Sequence, residues 1–463
     1  MRQGQERHEV DETQQPQYEE AGEPVGVWRS HASPTRSSGD RLERSTDAPD
    51  RHPAAEEHVE PGCQAGGHRG TERGQEKAGG AMTAQLGGPV IDADGHVLEP
   101  RGMWQRYLDR RLADLILVPE AASGLRILPA DQNPQARRPH PISGTVGGLT
   151  GLAGAVGKRA DDVLTGKITY DDAPAGAFDG GARLRDMDTD GIDIAVLYPT
   201  IGLSIGNAPA GIAEGLCRAY NDWLRDYCAA DPGRLIGIGA VPMTDIEAAV
   251  AETRRCVREL GFHGVFIRPN PYGGRHVDDP WYHPLWKTAA ELGVPVGFHP
   301  LAMWDMPGAT LHFDFPDISY AAAAGFTLDS MVTLTHLIFS GVLDRFRELQ
   351  VIVLESSGGW VYTWLERLAH HMKILPSLRP AVKRGAIEQF HDQVWVSFDP
   401  DEKALPAMVG LLGDQRFVWA SDYPHFDATF PGATAELREV IAPLPEESQR
   451  RILGENARRL YRI

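Results

Sequence analysis

The sequence predicts an α/β fold: a (β/α)8 TIM barrel of eight parallel strands, with an insertion after strand 1 and a disordered N-terminal tail. Three observations predict it. Eight short runs rich in β-branched and apolar residues recur between positions 89 and 424. Longer stretches of helical periodicity separate them. Most of the short runs lack polar alternation, as strands covered on both faces do. A doubly wound open sheet shows the same alternation and stands as the alternative.

Residues 1–81 contain one Leu (Leu42), no Ile and no Phe, and are filled with Glu, Arg, Gln, Gly, Pro and Ser. Such a segment buries too little apolar surface to offset its ordering entropy, so it reads as a disordered tail. Met82 opens directly before the first strand and is the expected natural start, with 82–463 as the barrel domain. A genuine flexible tail is the competing reading.

The strands are expected at 89–96, 192–199, 235–242, 264–270, 295–300, 351–356, 394–400 and 417–424. Helices are expected at 207–230, 246–260, 279–292, 321–346, 359–375 and 401–412, with 446–460 closing the chain. Thr244 with Glu247 suggests a capping box for the second of these. The insertion, 101–182, has a Gly- and Ala-rich middle at 143–158 and reads as a lid over the barrel mouth or a surface excursion. The run 183–190 (Arg-Leu-Arg-Asp-Met-Asp-Thr-Asp) reads as a short helix with mostly solvated charges.

Net charge narrows the partners. At −18 over 463 residues, the chain offers no basic stripe for phosphate, which argues against nucleic acid. Its four cysteines (Cys63, Cys217, Cys228, Cys256) have neither metal-ligand spacing nor the look of a disulfide framework. No apolar run approaches the roughly 18 residues of a membrane span. A cytoplasmic protein without membrane or nucleic-acid partners is expected.

Chemistry gathers at the C-terminal ends of the strands, where barrel active sites lie. In Val90-Ile-Asp-Ala-Asp-Gly-His96, residues 92, 94 and 96 alternate and would share one face of an ideal strand. Glu99 lies just beyond. Arg268 ends strand 4, His299 strand 5, Glu355 strand 6, and Asp422 with His425 ends strand 8. Buried carboxylates and imidazoles are costly without a mutual partner, and a cation is the simplest. Imidazole with carboxylate suits Zn²⁺; a richer oxygen set also admits Mn²⁺.

Residues 89–463 resemble the amidohydrolase superfamily, in the branch typified by aminocarboxymuconate-semialdehyde decarboxylase and the γ-resorcylate and carboxyvanillate decarboxylases. The phrases that carry the resemblance are Ile91-Asp-Ala-Asp-Gly-His96, Gly297-Phe-His-Pro300 and Leu337-Ile-Phe-Ser-Gly-Val-Leu-Asp-Arg-Phe346. To these add Val353-Leu-Glu-Ser-Ser-Gly-Gly-Trp360, Trp419-Ala-Ser-Asp-Tyr-Pro-His425 and Glu455-Asn-Ala-Arg-Arg-Leu-Tyr461.

The resemblance implies one divalent ion, zinc preferred and manganese admitted, held by Asp94, His96, His299 and Asp422. Asp94 departs from the common His-x-His of strand 1 and matches the resorcylate type. Glu355 stands where many members carry a histidine, either as proton donor or as a group orienting a ligand. No lysine ends strand 4, which argues against a carbamate-bridged pair of metals.

Arg268 is a candidate for a substrate carboxylate, with a structural ion pair as its other reading. His425 is a candidate for substrate contact or for supporting a ligand. The implied activity is non-oxidative decarboxylation of a small unsaturated or aromatic acid, with no organic cofactor. Hydrolysis of an amide, lactone or vinylogous C–C bond, with Asp422 accepting the proton of water, uses the same residues. A catalytically silent binding barrel is the third reading. The apolar helix at 320–346 suggests a homodimer.

Overall fold

A computed structural model describes residues 87–113, 116–117, 126–127, 152–301, 306–315 and 318–463. The predicted tail, Cys63, Met82 and most of the 143–158 stretch lie outside the described residues. Strand β1 (Ile91–Val97) pairs in parallel with β2 (Ile194–Pro199), and β2 with the first half of β3 (Leu235–Gly237). Strand β3 then steps across. The Ile238 amide donates to Leu197 O (3.1 Å), whereas the Gly239 amide donates to Gly264 O (2.9 Å). The second half of β3 (Gly239–Ala240) thereby pairs with β4 (Val265–Ile267). The ladder continues in parallel through β5 (Val296–Phe298), β6 (Val351–Val353), β7 (Val394–Phe398) and β8 (Phe417–Trp419).

Closure comes just past β8. His96 N donates to Tyr423 O (2.7 Å) and Asp422 N to Asp94 O (3.1 Å), so β1 and the end of β8 are hydrogen-bonded. A doubly wound sheet would leave those two edges apart. The structure is therefore the barrel.

Helix α1 (Gly180–Asp190) precedes β2. The crossovers are α2 (Ile212–Cys228), α3 (Ile246–Arg258), α4 (His283–Leu292), α5 (Phe326–Ser340), α6 (Val361–Ile374) and α7 (Leu405–Leu412). Helix α8 (Ala433–Ile441) follows β8. Each covers the ring with one face; α2 buries Leu216, Tyr220, Leu224 and Tyr227 at helical spacing. The cap of α3 differs from the expected one. Asp245, one residue on, accepts from the Glu247 and Ala248 amides, while the Thr244 hydroxyl is drawn away to donate to Ala208 O (2.8 Å). The continuous helical stretch Ile318–Ser340 is long and apolar enough to span a membrane by length and composition. Its Leu334, Leu337 and Ile338 are buried in the helical layer.

The insertion contributes a two-stranded antiparallel ribbon, Ile116–Leu117 with Arg126–Ile127. Its returning end packs near the barrel mouth: Leu152, Ala155 and Val163 cluster with Ile318, and Val156 N donates to Pro424 O (3.1 Å). The opposite end of the barrel is covered by the C-terminal segments Glu446–Arg450, Arg451–Glu455 and Asn456–Tyr461. Asn456 donates to Asp414 O (2.6 Å) and Phe417 O (2.7 Å), and Trp419 Nε1 to Leu453 O (3.1 Å). Gly454 packs closely against the start of β1, since a Cβ there would sit 2.0 Å from Pro89 O. Replacing Gly454 by Ala is expected to lower the unfolding free energy by about 1–3 kcal/mol through overpacking. Urea unfolding monitored by circular dichroism reads this directly; an unchanged midpoint would contradict the close docking.

Candidate metal centre

The strand-1 residues do not project as a regular strand would place them. The β1–β2 register slips between Asp92 and Gly95, a bulge that breaks the alternation of 92, 94 and 96. Asp92 is thereby turned into the β1–β8 seam. Its carboxylate accepts from Ser421 N (2.9 Å) and Ser421 Oγ (2.6 Å), and Arg183 Nη2 lies 3.6 Å away. The bulge also needs Gly95, where a Cβ would fall 2.5 Å from both Arg183 Nη2 and Asp92 Oδ2.

Arg183 is an exception to the mostly solvated charges expected of 183–190. It is 1% exposed, donates to His96 O (3.0 Å) and lies over the Tyr423 ring at 4.1 Å. Asp186 on the same helix takes the Tyr423 hydroxyl. Helix α1 therefore braces the seam from behind.

Asp94, His96 and His299 converge inside the mouth, all three essentially without solvent exposure. His96 Nδ1 bonds to Pro199 O (2.8 Å) and His299 Nδ1 to Pro300 O (2.8 Å). A carbonyl can only accept, so each Nδ1 carries a proton, and in the neutral ring Nε2 presents a lone pair. Those two Nε2 atoms stand 3.0 Å apart. Asp94 Oδ1 lies 3.5 Å from the first and 3.6 Å from the second, and Asp422 Oδ1 lies 3.3 Å from His96 Nε2. Burial and the neighbouring His425 and His299 hold His96 well below the usual imidazole range, hence neutral.

Asp94, His96 and His299 thus form one cluster of candidate ligands, and His96, Asp422 and His425 a second that shares His96. Asp94 Oδ1 is buried and accepts no hydrogen bond, and Asp422 Oδ1 is buried with His425 Nδ1 2.7 Å away. Ligands about 2.0–2.1 Å from one ion, at right or tetrahedral angles, lie about 2.9–3.4 Å from one another. Either group of three could hold a divalent cation, and the outward Nδ1–carbonyl bonds are those that orient metal-binding imidazoles.

The other expected residues border this centre. Asp422 (φ 53°) and Glu355 (φ 39°) both sit in the left-handed region, which non-glycine residues occupy at a cost and mostly at functional sites. His425 Nδ1 lies 2.7 Å from Asp422 Oδ1, and its Nε2 lies 3.1 Å from Thr200 Oγ1. Glu355 Oε2 is 3.6 Å from His299 Nδ1. Burial first, then Asp422 and Asp427, push the Glu355 carboxyl well above the ordinary range. Its loop is pinned by Glu402, which accepts from Gly358 N (3.0 Å) and Gly359 N (3.3 Å). Arg268 is 1% exposed and donates to Leu301 O (3.3 Å). It does not line the cavities at the centre.

Two adjoining cavities border the centre, one along Asp422 and Glu355 and the other along His425 and Glu355. One, of about 390 Å³, is lined by Glu355, Asp399, Asp422 and Asp427. The other, of about 130 Å³, is lined by Leu203, Leu301, Phe326 and Phe426, with Leu152 and Ala153 from the insertion. Glu355, Phe326 and Asp427 belong to both. Sequence reading missed Thr200, Asp399 and Asp427. The first and second stand just beyond β2 and β7, so strand-end position was the available signal.

A closed (β/α)8 barrel with a His–Asp cluster at its C-terminal mouth defines a metal-dependent enzyme architecture. The chain belongs to the amidohydrolase family, whose model (Amidohydrolase) matches residues 91–463. It is similar to a 2-amino-3-carboxymuconate-6-semialdehyde decarboxylase of Dictyostelium discoideum, 29% identical over 314 residues, covering 67% of this chain and 84% of the relative. It is also similar to a gamma-resorcylate decarboxylase of Rhodococcus jostii, 31% identical over 261 residues, covering 52% of this chain and 76% of that one. Among solved structures, a manganese-bound 5-carboxyvanillate decarboxylase of Novosphingobium aromaticivorans superposes with a TM-score of 0.59 at 22% identity. That match covers 82% of this chain and 98% of the other.

Glu99 shows how the mouth loops are held. Its carboxyl accepts from Ile201 N (3.0 Å) and Gly202 N (2.8 Å), tying the end of β1 to the loop after β2. Burial pushes it up to about 7 from an ordinary 4.5. The folded state then binds a proton that the unfolded state has lost across that window, so stability falls as pH rises from about 4.5 to 7. In Glu99→Gln this contribution, roughly 3 kcal/mol over the window, is expected to vanish. Chemical unfolding at several pH values tests it; parallel pH profiles of the two proteins would contradict it.

Proposed function

We propose that this chain is a metal-dependent, non-oxidative decarboxylase of a small aromatic or unsaturated carboxylic acid. The observation that carries the reading is the convergence of Asp94, His96 and His299, with Asp422 Oδ1 3.3 Å from His96 Nε2, beside Glu355, whose carboxyl burial pushes well above the ordinary range. In this reading Asp94, His96, His299 and Asp422 hold the ion. Their two nitrogens and two oxygens suit Zn²⁺ or Mn²⁺, and manganese in the solved relative supports the second. When bound, the ion supplies positive charge that offsets the acids and orients an anionic substrate.

The side chains divide the remaining work. Phe326 and Phe426 offer apolar faces to a flat substrate, and Leu152 and Ala153 close that side against water. Glu355 delivers its proton to the carbon that bears the carboxylate. The bond to the carboxyl carbon then breaks, its electron pair stays with the substrate carbon, and CO₂ leaves. Glu355 recovers a proton from solvent. His425, set between Asp422 and Thr200, keeps the Asp422 carboxylate aimed at the ion. Arg268 supports the rim through Leu301, a positioning role. Cys217, Cys228 and Cys256 are buried and free, which supports a reducing compartment such as the cytoplasm.

Replacing His299 or Asp422 by Ala is expected to lower bound metal from near one equivalent to near none and CO₂ release at least about a hundredfold. Far-UV circular dichroism should stay unchanged. Elemental analysis with a carbon-dioxide assay on a panel of aromatic acids checks both. Full metal content in both variants would overturn the ligand set. Acid released from lactones, with no CO₂ from any acid, would overturn the decarboxylase reading.

A further inference from the structure

The loop after β6 holds Glu355 in a backbone conformation that its own sequence does not favour. Glu355 (φ 39°) and Ser357 (φ 51°) both sit in the left-handed region, and neither is Gly, Asn or Asp, the residues that enter it most readily. Such strain persists only where the surroundings impose it. Two sets of contacts do so here. From helix α5, Thr327 Oγ1 donates to Ser356 O (3.0 Å), and Ser330 Oγ lies 2.7 Å from Ser356 Oγ. From the segment between β7 and α7 comes Glu402. Its two carboxyl oxygens lie 3.0 Å and 3.1 Å from Gly358 N, and Oε1 lies 3.3 Å from Gly359 N. Gly358 is pressed onto the end of β7, where a Cβ would fall 2.1 Å from the Phe398 ring. Glu355, Ser356 and Ser357 line the larger cavity, whereas Glu402 lines neither cavity and grips the loop from behind.

We propose that Glu402 is a positioning residue: by clasping the Gly358 and Gly359 amides it keeps residues 355–357 strained, and so keeps the Glu355 carboxyl in the cavity beside His299. Without the clasp the backbone relaxes to negative φ, the Cα–Cβ bond of Glu355 turns, and its carboxyl leaves the reacting carbon. This inference rests on the decarboxylase reading only in making Glu355 the proton donor.

The test compares Glu402→Ala and Glu402→Gln in the full chain loaded with Mn²⁺, on the acid of an aromatic panel that the wild type turns over fastest. In the alanine variant kcat is expected to fall about a hundredfold, the cost of a misplaced reacting group. KM and bound metal should hold, and hydrogen exchange at the Gly358 and Gly359 amides should quicken at least about tenfold. Glutamine keeps an acceptor oxygen for the amides and should restore most of the rate. Unchanged kcat, unchanged exchange, a raised KM at full kcat, or metal lost along with the rate would each overturn the proposal. So would a glutamine variant as slow as the alanine one. If Glu402→Ala does not fold, Glu402→Asp, one methylene short of the two amides, takes its place with the same expectations. Should the wild type release CO₂ from no acid, the decarboxylase reading falls, and the crystal structure of the variant decides the clasp alone. Glu355 turned to negative φ would support it, and Glu355 still near 39° would overturn it.

Discussion

Two imidazole nitrogens 3.0 Å apart, each with its lone pair turned toward the other and toward a buried carboxylate, are mutually repulsive. The barrel holds them there regardless. The Nδ1 protons are committed to Pro199 O and Pro300 O, so in their neutral forms neither ring can relieve the repulsion by donating inward. A cation between them turns each of these repulsions into an attraction. Glu355 and His425 take their positions around the same point.

That crowding requires a rigid support, which lies in the β1–β8 seam. Asp92, Ser421 and the Arg183 guanidinium form a buried group directly behind Asp94 and His96. The bulge in β1 separates the two tasks: Asp92 joins the strands, and Asp94 faces the mouth. Asp422 N donating to Asp94 O ties the first ligand strand to the last. Loss of this seam would open the ring and spread the donors together, which links barrel closure to the chemistry at its mouth.

The alternation of β-branched runs with helical stretches made the barrel legible, and strand-end position made His96, His299, Glu355 and Asp422 legible. Local departures from ideal geometry were not. The period-2 pattern grouped Asp92 with Asp94 and His96, and only the bulge separates them. Arg183 reads as one charge in a charged helix, and nothing local announces that it is drawn inward across the seam. Thr244 looked like a cap because its spacing to Glu247 was right, but a carbonyl from a distant loop claimed its hydroxyl. Asp399 follows a strand as the recognised ligands do; without a neighbouring histidine it resembles any turn aspartate. In each case the deciding partner comes from far along the chain.

The most direct test is anomalous diffraction, at the manganese edge, from crystals of the chain grown with Mn²⁺. One peak in contact with His96 Nε2, His299 Nε2, Asp94 Oδ1 and Asp422 Oδ1 is the predicted result. A metal bound elsewhere, or the two Nε2 atoms turned apart with the ion absent from between them, would contradict the account.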